Sequence, residues 1–273
     1  MFSRIVDKFN IYPSVLGFHY FKEELPDLTG YDYVFVCSDF GIPLNYEIVQ
    51  FLTGAEKCYN TYSWSAIDLD NVKQLPLSEE SEVPSVGFVG RIPLFNKNAQ
   101  TVLHRGFEPR YFAAKSLMDS DLICFDAHIR WEPEGESCSF FPAIAAAHKK
   151  DAPLFRNNLL ANQYNLCARG NGNYSQRLYE TLAVSRIPIY IDSGGCIPFD
   201  HFIDYRSMDC FPWVEDPRKT AEIVLEFHET HDLGVAQNKC RKIYEDYLSP
   251  TAQAALFEKS IDKFEKFTEA SLL

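Results

Sequence analysis

Between Tyr164 and Asp192 the chain reads YNLCARGNGNYSQRLYETLAVSRIPIYID: a strand, a glycine-containing turn, a helix and a second strand within 29 residues. So short a β-α-β passage constrains the fold, because strands joined by a helical crossover lie parallel in one sheet. Leu166 and Cys167 close the first strand and residues 187 to 191 form the second, so the turn RGNGN sits at a strand's carboxyl end, before a helix start. Asn173 can cap that helix, and Gln176 three residues later completes a capping-box pattern. Helical spacing sets Leu178 with Leu182, and Tyr179 with Ala183, on the buried side, while Arg177 and Glu180 share another face.

The rest of the chain fits an alternation of strands and helices. YDYVFVCSDFGIPL supplies a β-rich run from Tyr33 to Cys37 that empties into a loop at Ser38 and Asp39. PLSEESEVP, residues 76 to 84, is acidic, proline-bounded and aperiodic, and reads as a connection between two units. SVGFVGRIPL then reads as a short strand followed by a Gly-Arg turn, KNAQTVLHRG as a helix ending near Gly106, and DLICFDAHIRWEPEGES as a strand and a polar loop. DAPLFRNNLLANQ has the pattern of a leucine-rich helix with Pro153 near its start. Asp216-Pro217 and Ser249-Pro250 mark two further helix starts. The expected organisation is a first unit over residues 1–83, a second over 84–250 with a mostly parallel sheet covered on both faces, and a terminal helix over 251–273. Ligands of such sheets bind beyond the carboxyl ends of the strands.

A length of 273 residues suffices for about two domains of ordinary size. The net charge of -12 argues against nucleic acid or an anionic membrane surface as partners, since both require concentrated Lys and Arg. An anionic ligand must therefore be held by local cations. The eight cysteines form no C-x-x-C pair and several lie in apolar runs, which suits reduced core thiols. No stretch offers a signal peptide or a membrane span, so the expectation is a cytoplasmic protein.

Arg169 and Arg177 flank the turn, and Arg177 falls in the first helical turn, where the macrodipole favours anions. Free backbone N–H groups, a glycine turn and two arginines together suit a diphosphate, and Glu180 one turn deeper suits ribose hydroxyls. The plainer alternative is a surface ion pair between Arg177 and Glu180 beside an ordinary glycine turn.

LCARGNGNYSQRLYETLAVSRIPIYID, preceded by PSVGFVGR, resembles the nucleotide-sugar-binding half of the exostosin family of glycosyltransferases. The matching residues are Arg169, Gly170, Ser175, Arg177, Glu180, Ile187 and Pro188, with Ile189 for a valine, and Ser185 or Arg186 where the family carries a glycine. The resemblance spans residues 84 to 215 and implies a GT-B fold, two Rossmann-like halves around a cleft. Here the amino-terminal half is short and the carboxyl-terminal half binds the donor. It implies an inverting sugar transfer from a nucleotide sugar, UDP-linked by preference, to a glycan or other hydroxyl acceptor. The nucleotide sugar is then a substrate, and no cofactor or metal is required. Arg91, Gly170, Asn173 and Ser175 join Arg169, Arg177 and Glu180 on the donor side. The catalytic base falls to the first half, with Asp39 first and His19 second. Asp39 is equally suited to capping a turn through its side chain.

Two other functions share these residues: a binding module that holds a nucleotide sugar without transferring it, and a fucosyltransferase-like enzyme using GDP-fucose. The triplets Asp68–Asp70 and Asp119–Asp121 match the D-x-D motif of metal-dependent transferases, but 38 acidic residues make such triplets common. His228 and His231 lack metalloprotease spacing. Tyr59, Tyr62 and Trp64 suit a core, whereas Trp131, among charged neighbours, suits an acceptor sugar.

Overall fold

The structure, a computed structural model, describes residues 33–37, 57–62, 77–78, 81–92, 95–96, 101–102, 108–131, 153–169, 175–193, 197, 203–249, 251–252 and 255–256. In the first quarter of the chain, β1 (Tyr33–Cys37) pairs in parallel with β2 (Lys57–Tyr62). The strand expected at Tyr33 to Cys37 is thus present. Asp39, His19, Trp64 and Asp68–Asp70 lie outside the described residues.

The second unit is built on five strands, β3 (Ser85–Ile92), β6 (Cys124–Trp131), β7 (Tyr164–Cys167), β8 (Ile187–Ile191) and β9 (Trp213–Val214), all parallel, in the order β6-β3-β7-β8-β9. Counted along the chain this order is 2-1-3-4-5, that of a doubly wound α/β sheet, as the alternation of strands and helices predicts. The direction of winding reverses between β3 and β7, and the crevice of such a fold lies outside the strand ends at that point.

The helices are α1 (Glu108–Met118), α2 (residues 153–161), α3 (Gln176–Ala183), α4 (Thr220–Thr230) and α5 (Leu233–Ile243). Alternation along β7 assigns them to faces. Tyr164 points to α4, its hydroxyl 3.0 Å from His228 Nδ1 and its ring edge-on to Phe227. Asn165 and Cys167 point the other way: Asn165 Nδ2 donates to the Leu159 carbonyl on α2, and Cys167 Sγ lies 3.6 Å from Thr181 Oγ1 on α3. Helix α1 stays with α4, where Ser116 Oγ accepts from the Ala221 N–H. Both faces are covered, and β7 and β8 are buried along their whole length.

Helix α2 approaches β3 closely because Gly87 has no side chain. A Cβ there would lie 2.7 Å from Asn165 Oδ1, 2.8 Å from Asn158 Oδ1 and 2.9 Å from Asn162 Nδ2. The buried amides are satisfied: Asn158 and Asn162 both donate to Asp126 Oδ2 on β6, at 2.7 and 3.1 Å. Four elements are thus joined around one glycine.

Three local expectations are corrected. Residues Thr101–Val102 form β5, antiparallel to β4 (Phe95–Asn96), in place of the helix expected over KNAQTVLHRG. Among the described residues the first helix after β3 is α1 instead. Gly90 and Arg91 lie inside β3 and not in a turn after it. Gly90 makes room for the Phe88 ring, whose Cζ would be 3.0 Å from an added Cβ. The N-cap of α3 is Ser175, with no side-chain capping bond, in place of the box expected from Asn173. Asn173 and Gly170 lie outside the described residues.

The acidic connection before β3 is held to this unit. Ser78 N donates to Gln237 Oε1 on α5 at 2.8 Å, and the Ser81 carbonyl lies 2.8 Å from His228 Nε2 on α4. At the other end, Asp216 caps the 3-10 turn Pro217–Lys219, and Ser249 Oγ accepts from the Ala252 N–H. Both helix starts lie where the sequence puts them.

Candidate functional site

Pairing between β3 and β7 covers Val86 with Tyr164 and Gly87 with Asn165, and then stops. Arg177 fills the opening. From the first turn of α3 its Nη1 donates to the Leu166 carbonyl at 3.3 Å and its Nη2 to the Val89 carbonyl. Its guanidinium carbon lies 4.6 Å from the centroid of Phe88 and 5.2 Å from that of Phe155 on α2. Strand alternation puts Phe88 on the face opposite α2, so the guanidinium sits in the plane of the sheet between two rings. The sequence argument supposed that an arginine in the first helical turn needs an anion to offset it. Two strand carbonyls and two aromatic faces already do part of that work. Nε of Arg177 is buried and has no hydrogen-bond partner among the described residues.

Arg169 stands two residues past the end of β7 and is 4% exposed. A third arginine, Arg110, arrives from α1 on the other face of the sheet. Its Nη2 donates to the Ala168 carbonyl at 3.1 Å, and its guanidinium carbon is 5.9 Å from the same Phe88 ring. Sequence reasoning missed it. The segment FEPR carries no motif, and only the placement of α1 brings it to the end of β7.

Glu180, one turn along α3 from Arg177, is 6% exposed. Burial pushes its carboxyl up to about 7, and Arg177 opposes the shift. Burial lowers Arg177 from the ordinary arginine value, and it lowers Arg110 to about 9, helped by the positive charges of Arg177 and Arg169. A buried carboxyl whose titration is moved toward neutrality beside clustered cations is the kind of perturbation found at functional sites. No ion pair joins Arg177 and Glu180 among the described residues; Arg177 is held by carbonyls instead. Ser175, 8% exposed, starts the helix beside them with its hydroxyl uncommitted to capping.

Arg91 is next to last in β3 and Trp131 is last in β6, and the two strands run in register, Arg91 opposite Arg130 and Ile92 opposite Trp131. Both therefore stand toward the carboxyl edge that carries Arg169. Asp119–Asp121 stand at the opposite edge, before the start of β6, and Asp119 is paired with Lys115 at 2.5 Å. His228 is engaged by Tyr164 and Ser81, and His231 stacks on Phe227 at 3.9 Å. Among the described residues no three His, Cys, Asp or Glu side chains gather as metal ligands. Cys167, Cys210 and Cys240 are buried thiols as expected, whereas Cys124 is exposed at the start of β6. No helix among the described residues is long and apolar enough to cross a membrane.

The fold is a doubly wound α/β sheet with arginines gathered at the winding reversal. No family model matches the sequence, and no curated protein matches it; the exostosin likeness is one of motif. Solved structures similar in chain course include a variant of S. aureus TarM in complex with fondaparinux, alpha-GlcNAc-glycerol and UDP, at 12% identity and a TM-score of 0.46, covering 85% of this chain and 43% of TarM. A second TarM structure aligns at 11% identity and a TM-score of 0.41, covering 86% and 44%. This chain spans less than half the length of those proteins, and the likeness assigns it no reaction.

Proposed function

We propose that the protein is an inverting glycosyltransferase of GT-B type that moves a sugar from a nucleotide sugar, a UDP-sugar by preference, to a hydroxyl of a glycan or similar acceptor. The observation that supports this most is the position of Arg169 and Arg177, with Glu180 one turn on, at the end of β7 where the winding reverses. Fixed cations there stabilise the diphosphate as it leaves, without reorganising, and do so with most effect away from water. In the same reading Glu180 accepts from ribose hydroxyls, and Ser175, Gly170, Asn173 and Arg91 complete the donor side. Trp131 contacts the acceptor. Asp39, or failing it His19, takes the proton of the attacking hydroxyl, which arrives on the face opposite the departing nucleotide.

The test is a panel of UDP- and GDP-sugars with hydroxyl acceptors, followed by release of free nucleotide. Release that needs both donor and acceptor is the expected result, and it should persist in EDTA because the arginines take a metal's electrostatic role. Binding without release would favour the non-catalytic module. A response to GDP-fucose alone would favour the fucosyltransferase-like reading, and activity abolished by EDTA and restored by Mn²⁺ would overturn the metal-free one. Within an active protein, Asp39→Asn should lower transfer by roughly 10²- to 10⁴-fold with nucleotide binding intact. Near-parent transfer in Asp39→Asn, with loss in His19→Ala, would move the base to His19.

A further inference from the structure

We infer that Cys210 and Cys240 are a reversible dithiol–disulfide pair, in which a peroxide takes Cys210 to a sulfenic acid and Cys240 then closes a cross-link between α5 and the turn before β9. The device is independent of sugar transfer and stands or falls separately from it. Cys240 lies on α5, and Cys210 stands three residues before β9. The Cys240 thiol donates to the carbonyl of Cys210 at 3.4 Å and is also hydrogen-bonded to the Cys210 thiol. Two sulfurs 30 positions apart in sequence are thus neighbours in the fold, and neither residue is more than 1% exposed.

The bond between the thiols gives them different tasks. Donation from Cys240, helped by the charge of Lys239, pulls Cys210 below the ordinary thiol value against the opposing effect of burial. Burial, reinforced by that same bond, holds Cys240 well above it. Cys210 is therefore the attacking thiolate and Cys240 the resolving thiol. A third thiol, Cys167, lies near enough to act on Cys240, but burial pushes it up to about 12 and its proton is committed to the Asn165 carbonyl at 3.3 Å. Buried thiols are ordinarily inert, so the oxidant needs a way in. Cys210 follows directly on Asp209, whose backbone is left-handed at φ 47°, whose side chain is 77% exposed, and whose carboxylate lies 3.4 Å from His231 Nε2. A surface turn of this kind opens far more readily than the sheet beneath it.

The chemistry balances with one peroxide. The Cys210 thiolate attacks a peroxide oxygen, the O–O bond breaks, and the departing hydroxide takes the proton that Cys210 gave up, forming water. The Cys240 sulfur then attacks the sulfenic sulfur and loses its proton as the S–S bond forms, and the hydroxyl leaves as a second water. Two thiols are oxidised and one peroxide is reduced to two waters. A small dithiol reverses the step by thiol–disulfide exchange and is itself oxidised.

The experiment treats the folded full chain with hydrogen peroxide, alkylates the thiols that remain and maps disulfides by mass spectrometry of unreduced peptides. The expected result is a Cys210–Cys240 cross-link that dithiothreitol removes, with Cys210 consumed at least about 10-fold faster than Cys167. In Cys240→Ser the sulfenic acid has no thiol to resolve it, and dimedone should label Cys210. The cross-linked parent should melt higher by roughly 5–15 °C, because a link across 30 positions constrains the unfolded chain. Pairing of Cys240 with Cys167, equal consumption of Cys210 and Cys167, or no dimedone on Cys210 in Cys240→Ser overturns the inference. So does a Cys210–Cys240 bond that forms only in urea, or one that lowers the melting temperature, since the native packing would then not accommodate it. If Cys240→Ser fails to fold, Cys240→Ala takes its place, and the cross-link mapped in the parent needs no variant at all.

Discussion

The guanidinium of Arg177 lies 4.6 Å from the ring centroid of Phe88, in the gap where β3 and β7 cease to pair. An arginine expected to bind only a ligand is thus also part of the sheet, replacing ladder hydrogen bonds with its own to Val89 and Leu166. Its removal leaves two carbonyls without a donor, at about 1–3 kcal/mol each where buried, and forfeits a cation–π contact of roughly 0.5–2 kcal/mol. Arg177→Ala should therefore lower stability by on the order of 2.5–8 kcal/mol, read as the shift in urea midpoint at constant slope. A change of less than about 0.5 kcal/mol, the size of an ordinary surface substitution, would show that the brace is dispensable.

Gly87→Ala should be poorly tolerated. The added methyl meets three buried amide atoms at 2.7 to 2.9 Å, on side chains whose amide nitrogens link α2 with β6 and β7. Overpacking of this kind costs about 1–3 kcal/mol, and losing part of the Asp126 network adds to it. Thermal melting of Gly87→Ala at or above the parent would contradict the close approach of α2.

Glu180 makes stability depend on pH with a definite sign. Its folded value of about 7 stands above the ordinary 4.5, so between these the folded chain binds the extra proton and stability falls as pH rises. The penalty is absent below about pH 4.5, complete above about pH 7, and on the order of 3 kcal/mol in full. Glu180→Gln should flatten the decline and melt above the parent at pH 8, while weakening nucleotide binding more than pyrophosphate binding. A parent whose stability is level from pH 5 to 8 would remove the buried carboxylate from the account.

Ser185 adopts φ 56°, ends α3, and receives a bond from Arg241 Nε through its hydroxyl. It stands at one of the two positions where the resembling family carries glycine, and the left-handed backbone supplies the reason. Arg186 N to the Thr181 carbonyl at 3.0 Å and Ser185 N to that of Leu182 at 3.1 Å complete the helix end. Ser185→Gly loses the hydroxyl but eases the backbone, whereas Ser185→Ala loses the hydroxyl and keeps the strain. The glycine variant should be the more stable by about 0.5–1 kcal/mol. The reverse order in a melting series would count against strain here.

What could be read from the sequence followed local chemistry. The β-α-β passage was legible because its apolar positions, turn and second strand all lie within one short span, and Leu178, Tyr179, Leu182 and Ala183 are buried as the helical spacing requires. Helix α1 was not, since EPRYFAAKSLM buries only Ala113, Ala114 and Leu117 and lacks a broad apolar stripe. Asn158, Asn162, Gln163 and Asn165 look like surface polar residues, yet all are buried. Asp126, the partner of Asn158 and Asn162, and Ser85, the partner of Gln163, come from strands far off in sequence. Arg110 was hidden for the same reason: its meaning lies in the residue it meets, 58 positions away.

The bonds of Ser78 to Gln237 and of Ser81 to His228 change the mechanics of the acidic connection. A free run from residue 76 to 84 would act as a leash several residues long, with the ends it joins wandering over roughly 5–6 Å times the square root of its length. Anchored on α4 and α5, the run becomes an extension of the sheet unit, and its point of departure moves back to about Ser78. Any movement of the chain that precedes Ser78 relative to the five-stranded sheet then has to start upstream of that serine, with a shorter lever and a smaller arc than the proline-bounded segment suggests.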